Sequence, residues 1–390
     1  MPSHHCMKQP GVYLGLALLA VLTGALSATE GTSALPYERW TVSETIMGPG
    51  PRGTFDDVAA KDPSLVFYQG KYHVFYTSKA SRETARTLLY VEKTRSGLGY
   101  ASAPTVASLR AAPRHYLNES LGAIVVAPQV FYFAPQKLWY LIAQIPVKDA
   151  RPDLQPVYCT NPDIENPRGW SKPTVIPTRK VNNGFWIDFW VICDERRAHL
   201  FYTDHRGSLF RMAVPLEKFP DFSGALDETA LTERGEDARG PWRLHEASHI
   251  YYVKSARKYL ALLEAVRPHP TRPNYWDSRK RFMFAMVADQ LEGPWTRAEA
   301  SSNAFAGDPV RLFLADGSRA KYDQVSHFEI VRRGIDQRYE IEDFNFVLLF
   351  QGFDAKHTPD TFNYDDLPWE LALMKNFPGP WSERLPGPLK

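Results

Sequence analysis

Short runs of β-branched and aromatic residues, each broken by a polar turn and answered by a second such run, recur along this chain, whereas helical periodicity is scarce. The first copy runs from Lys61-Asp62-Pro63-Ser64 to Phe67-Tyr68, turns at Gln69-Gly70-Lys71 and returns as Tyr72-His73-Val74-Phe75-Tyr76. Others span Ala127 to Leu141, Trp186 to Tyr202 and His245 to Leu262, and a looser one spans Val325 to Phe350. The copies lie on the order of sixty residues apart, which leaves room in each for four strands and long loops. Five copies predict an all-β, five-bladed β-propeller. The innermost strand of each blade then begins at the mouth of a central channel, and the residue that opens each copy points into one shared funnel.

At those openings stand Asp62, Gln129, Asp188, Glu246 and the pair His327 and Glu329. The spacing supports that register: Asp62 to His73, Gln129 to Tyr140 and Asp188 to His199 are each eleven positions (73−62, 140−129, 199−188). Three carboxylates delivered to one rim raise one another's pKa, and such strain marks functional sites. Hydrolysis of a glycosidic bond needs this set: a protonated acid for the leaving oxygen, an ionised carboxylate to activate water, and a third acid to tune the donor. Asp188 stands out, because Trp186-Ile187-Asp188-Phe189-Trp190 places an acid among bulky apolar residues where an idle charge would be costly. His73 and His199 recur on second strands and read as packed imidazoles.

Composition narrows the picture. The chain has 390 residues, 13% aromatic, with a net charge of +2 from nearly balanced acids and bases, which argues against a phosphate-neutralising nucleic-acid surface. An apolar run from Val12 to Leu22 followed by Ala25-Leu26-Ser27-Ala28 reads as a secretory signal peptide over residues 1–28, too short to remain as a membrane span. Residues 29–390 are then expected to form a single secreted, monomeric domain. Cys6 leaves with the leader, and Cys159 and Cys193 are either free or paired once.

Several segments carry a resemblance. Lys61-Asp62-Pro63-Ser64, Ala127-Pro128-Gln129-Val130-Phe131-Tyr132, Trp186-Ile187-Asp188-Phe189-Trp190-Val191-Ile192-Cys193-Asp194, Val325-Ser326-His327 and Leu367-Pro368-Trp369 resemble glycoside hydrolase family 62, the α-L-arabinofuranosidases of arabinoxylan. The resemblance implies an inverting enzyme with a polysaccharide partner, Asp62 as general base, Glu246 as general acid and Asp188 as the carboxylate that modulates the acid. It implies Lys61 and Tyr364 against the arabinose and a hydrated calcium anchored by His327; Gln129, from its place at a repeat opening, and Asp365, beside Tyr364, are also expected in the binding set. The chain departs from the family at Ala143-Gln144-Ile145-Pro146, where a tryptophan is usual, and at Phe284-Ala285-Met286, Phe328 and Asp365. Two alternatives stay open: a family 43-like propeller acting on arabinan or another arabinose- or xylose-containing polymer, and a carbohydrate-binding propeller without catalysis.

Overall fold

The computed structural model describes residues 39–88, 94–179, 184–237, 239–269, 272–298, 306–307, 311–354 and 363–390. The segment read as a signal peptide lies outside them. Each expected repeat is an antiparallel sheet, and the five sheets are the blades of a propeller. Blade one pairs Ala59–Tyr68, Lys71–Lys79, Ser96–Ala103 and His115–Tyr116 in that order, and blade two pairs Val126–Phe133, Leu138–Pro146, Leu154–Asn161 and Thr174–Val175. In blade three the order is Ile187–Cys193, Arg197–Thr203, Ser208–Pro215 and Glu228–Thr232; blade four is built on Gly240–Val253, Lys258–His269 and Arg272–Ala288.

Blade five closes the ring from both ends of the chain. Gln324–Ile330, Val347–Phe353 and Glu370–Lys375 are followed by the N-terminal strand Arg39–Val42, antiparallel to the last of these and parallel to Arg311–Phe313. The first-named strand of every blade touches its counterparts in the two neighbouring blades, so these five strands form the inner wall. Aromatic side chains fill the space between sheets: Trp190 packs on Tyr251 and Tyr339, and Phe131 on Tyr339 and Phe219. Burial of that apolar surface is the main favourable term holding blade to blade.

One backbone feature repeats around the wall. Each inner strand carries a single non-glycine residue in the left-handed region: Asp62 (φ 46°), Ala127 (52°), Asp188 (59°), Ala247 (59°) and His327 (31°). The pairing register slips at the same point in all five strands. These are β-bulges, which re-aim side chains beside functional sites, and a left-handed side-chain residue costs of order 1–3 kcal/mol unless its surroundings hold it.

The hold is visible. At every kink the backbone N–H donates to a side chain of the preceding blade: Asp62 N to Gln351 Oε1 (2.5 Å), Ala127 N to Thr77 Oγ1 (2.7 Å), Asp188 N to Gln144 Oε1 (3.1 Å), Ala247 N to Asp188 Oδ2 (3.1 Å) and His327 N to Glu264 Oε2 (3.1 Å). Four of the five acceptors sit on a second strand. Burying an unsatisfied N–H would cost about 1–3 kcal/mol, so each of these polar residues stabilises a kink that its own blade does not contain.

Cys159 in blade two and Cys193 in blade three are free and buried. His73 and His199 are fully buried on second strands, bonded to Tyr100 and Asp194, as expected of packed imidazoles.

Candidate active site

The kinks bring Asp62, Asp188 and His327 to the centre of one end of the channel, and Glu246 joins them from the position just before the kink at Ala247. His327 stands between the acids: its Nε2 lies 3.2 Å from Asp188 Oδ2 and 4.0 Å from Glu246 Oε1, and its Nδ1 lies 3.7 Å from Asp62 Oδ1. All four residues are nine-tenths or more buried.

Lys61 places its Nζ 3.4 Å from Asp62 Oδ1 and donates to the Tyr364 hydroxyl at 3.3 Å. Burial opposes the lysine's charge, but Asp62, Tyr364 and Glu246 outweigh it, so the ammonium holds its proton above the usual range. The turn that carries Tyr364 is tied down by its neighbours: Asp365 accepts from Lys79 at 2.5 Å and Asp366 from Arg95 at 2.5 Å. Of the expected binding residues, Lys61 and Tyr364 therefore face the carboxylates, while Asp365 is engaged in anchoring.

Gln129 is elsewhere. The left-handed residue of blade two is Ala127, and Gln129 lies two residues deeper, level with Ser64, Trp190, His249 and Glu329. Its side chain donates to Val191 O and accepts from Val191 N, both at 2.7 Å, which stitches the inner strands of blades two and three. The equal spacing misplaced it because hairpin lengths differ. Phe131 faces Tyr140 nine positions on (140−131), whereas Val66 faces His73 and Ile192 faces His199 seven on (73−66, 199−192). Glu329 belongs to the same deeper layer, where burial pushes its carboxyl up to about 8 despite Arg332. A Gln129→Leu variant should lose about 1–3 kcal/mol of stability through the orphaned Val191 groups, with an unchanged KM. Denaturant melts beside steady-state kinetics check this, and a raised KM at unaltered stability would return Gln129 to the binding set.

Arg281, on the third strand of blade four, was not legible in the sequence. Its guanidinium donates to both Glu246 and the fully buried Glu264, and to Ser326 Oγ at 3.3 Å. Two imidazoles flank the other oxygen of Glu246. His205 Nε2 is 2.7 Å from Oε2, His245 Nε2 is 3.8 Å away, and the two rings stack with centroids 4.2 Å apart.

The electrostatics separate the acids. Burial and repulsion from Glu246 push Asp188 up to about 7, against the pull of His327 and the Ala247 N–H. Burial would also raise Glu246, but Arg281, His245 and His205 overcome it and hold that carboxyl well below the usual range. His327 is raised, since its four carboxylate neighbours outweigh desolvation. Asp188 and His327 therefore hold a proton more readily than Glu246 does.

The calcium implied for His327 has a candidate seat in this geometry. His327, Asp188 and Glu246 each bring one ligand atom within 4.8 Å of the others, a set that would hold a cation. The cavity beneath the kinks, about 20 Å³ and lined by Asp62, Gln129, Asp188, Trp190, His249 and His327, has room for about one water toward the six to eight oxygen ligands that calcium takes. His327→Ala is expected to lower metal content and thermal stability, because a ligand bound only to the folded state stabilises it. Elemental analysis of protein prepared without chelator checks this, and absence of calcium would leave His327 as a scaffold residue.

The departures in blade four, Phe284, Ala285 and Met286, are buried in the core, with Phe284 against Trp242. Beside His205 stands Phe185, one of the few large exposed apolar side chains, with ring centroids 4.9 Å apart.

Comparison with known proteins finds relatives over most of the chain. The profile of glycosyl hydrolase family 62 matches residues 39–375. The chain is 30% identical over 339 residues to alpha-L-arabinofuranosidase C of Cellvibrio japonicus, covering 86% of this chain and 47% of the relative, so it spans about half the length of that curated relative. Among solved structures, the catalytic domain of the Coprinopsis cinerea family 62 α-L-arabinofuranosidase is 31% identical, with a TM-score of 0.69 and coverage of 88% of this chain and 98% of that one. The Podospora anserina α-L-arabinofuranosidase, solved with cellotriose, is 29% identical with a TM-score of 0.68 and the same coverage.

Proposed function

The chain belongs to glycosyl hydrolase family 62, and on that premise we propose that it is a secreted, monomeric α-L-arabinofuranosidase that removes terminal arabinofuranosyl side chains from arabinoxylan with inversion. The observation that carries this reading is the placement of Asp62 and Glu246 on opposite nitrogens of His327, with Lys61 and Tyr364 beside Asp62. The two contacts plus the width of an imidazole leave the carboxyls no more than roughly 10 Å apart, a span that admits the 6.5–9.5 Å separation of inverting enzymes.

Each residue has a distinct task. Asp62, oriented by its kink and by Lys61, takes the proton of the attacking water. Glu246 gives a proton to the departing oxygen, which requires that its carboxyl first be protonated. A bound sugar works in that direction, because it excludes water from a carboxylate that is already buried and so disfavours the charged form. Asp188, which shares His327 with Glu246, is the reservoir from which that proton comes. Lys61 and Tyr364 offer hydrogen bonds to the sugar hydroxyls, and the exposed ring of Phe185 offers a face on which a xylose unit of the backbone can stack.

Arabinose release from arabinoxylan, arabinan and debranched xylan tests the substrate: release from arabinoxylan alone is expected, and a preference for arabinan would overturn the assignment. Proton NMR of the first turnover should show the β-anomer of arabinose ahead of the α-anomer. The reverse order would mean retention.

A further inference from the structure

We propose that His205, His245 and Glu246 form a binding site for a borderline divalent transition metal such as Zn²⁺ at the mouth of the funnel, and that an ion bound there reversibly switches off hydrolysis. The ion binding itself is independent of the proposed reaction; the inhibition rests on it.

The donor set is that of a zinc site. Two imidazole nitrogens and one carboxylate oxygen come together, all within 4.8 Å of one another. With metal–ligand bonds of 2.0–2.2 Å, ligands of a tetrahedral ion stand roughly 3.3 Å apart. The contacts to Glu246 Oε2, 2.7 Å from His205 and 3.8 Å from His245, bracket that separation, so an ion enters by replacing the proton between His205 and Glu246. The fourth position faces the mouth, where the His205 side chain is 29% exposed. Water would occupy it. Calcium, which prefers oxygen, is a poor match for two nitrogens.

Two further observations bear on the site. The His245 Nδ1 is buried with no hydrogen-bond partner among the described residues, so no contact fixes the ring's tautomer and its Nε2 is free to face Glu246 as a lone pair. His205 is held at φ 59°, a strained backbone for a non-glycine residue, and that conformation belongs to the turn that aims its imidazole at Glu246. Arg281 does not repel the ion strongly, because its guanidinium is already shared with Glu264 and contacts the opposite oxygen of Glu246.

The consequence is chemical. A metal on Oε2 occupies the atom nearest the solvent-facing imidazoles and holds Glu246 deprotonated, so a carboxyl that must donate a proton no longer can. Isothermal titration of the intact protein with zinc chloride is expected to give one site per chain. Titration with cobalt(II) chloride should produce the visible absorption bands of a four-coordinate ion. His205→Ala and His245→Phe should each weaken binding by more than the roughly tenfold lower bound for losing an outer-shell partner. Arabinose release from the wild type should fall along the zinc binding curve and return with EDTA. Absence of heat and of cobalt bands, or unchanged affinity in both variants at wild-type circular dichroism, would overturn the site. Binding without loss of activity would overturn the switch, and a chain inactive on every arabinoside but still binding zinc would refute the proposed function while leaving the site intact.

Discussion

Replacing Asp62 by asparagine is expected to reduce turnover by roughly 10²–10⁴-fold on both arabinoxylan and an aryl arabinoside, the usual contribution of a general base. Both substrates need the same attacking water, so an improved leaving group cannot compensate. The fold should survive, because the kink at Asp62 is held through its backbone N–H by Gln351 and the side chain makes no bond that shapes the strand. Lys61 keeps the Tyr364 hydroxyl as a partner. Comparison of kcat for the two substrates, with thermal melts as control, checks this. A loss below tenfold on either one would remove Asp62 from the role of base.

Glu246→Gln should divide the two substrates instead. Polysaccharide turnover is expected to fall by roughly 10²–10⁴-fold, and release of an aryl group far less, because a good leaving group departs with little protonation. A fall in stability is also expected. Removing one partner of a buried ion pair costs 3–5 kcal/mol when the other charge is left alone, but here Arg281 retains Glu264, which should limit the loss to the lower end or below. Equal losses on both substrates would show that Glu246 is not the proton donor.

Much of this arrangement could be read along the chain because it repeats. Four of the residues at the site's centre, Asp62, Asp188, Glu246 and His327, lie at or next to the opening of a copy, and the alternation of aromatic strand, turn and aromatic strand was enough to count the blades. Gln129 went astray for a simple physical reason: the hairpin that follows it is longer, and spacing along a chain is not register across a sheet. Arg281 and His205 were missed for a different one. Arg281 is 35 residues from Glu246 and reaches it only because the third strand of blade four runs back beside the first two. His205 arrives from a turn of blade three. A local pattern does not record such meetings.

One signal was present and could have been used. The second strands are buried along most of their length, yet Thr77, Gln144, Glu264 and Gln351 each place a polar group in them, Gln144, Glu264 and Gln351 next to apolar neighbours such as Ala143, Leu263, Ala265 and Phe350. Buried polar side chains in such strands demand partners, and each of these four accepts from a kink in the following blade.

That hand-over bears on how such a protein can be recombined. A blade looks like the natural unit for exchange between related propellers, since it is one sheet with its own hairpins. The functional unit is offset from it: the residue that fixes Asp62 belongs to blade five, and the one that fixes Asp188 belongs to blade two. A chimaera cut between sheets would import an acid without its support, whereas a crossover placed between the inner strand and the second strand would carry each of the four second-strand acceptors together with the kink it serves. Inheritance around the ring thus runs in half-blade steps, and a change in one sheet has its first effect on the chemistry of the next.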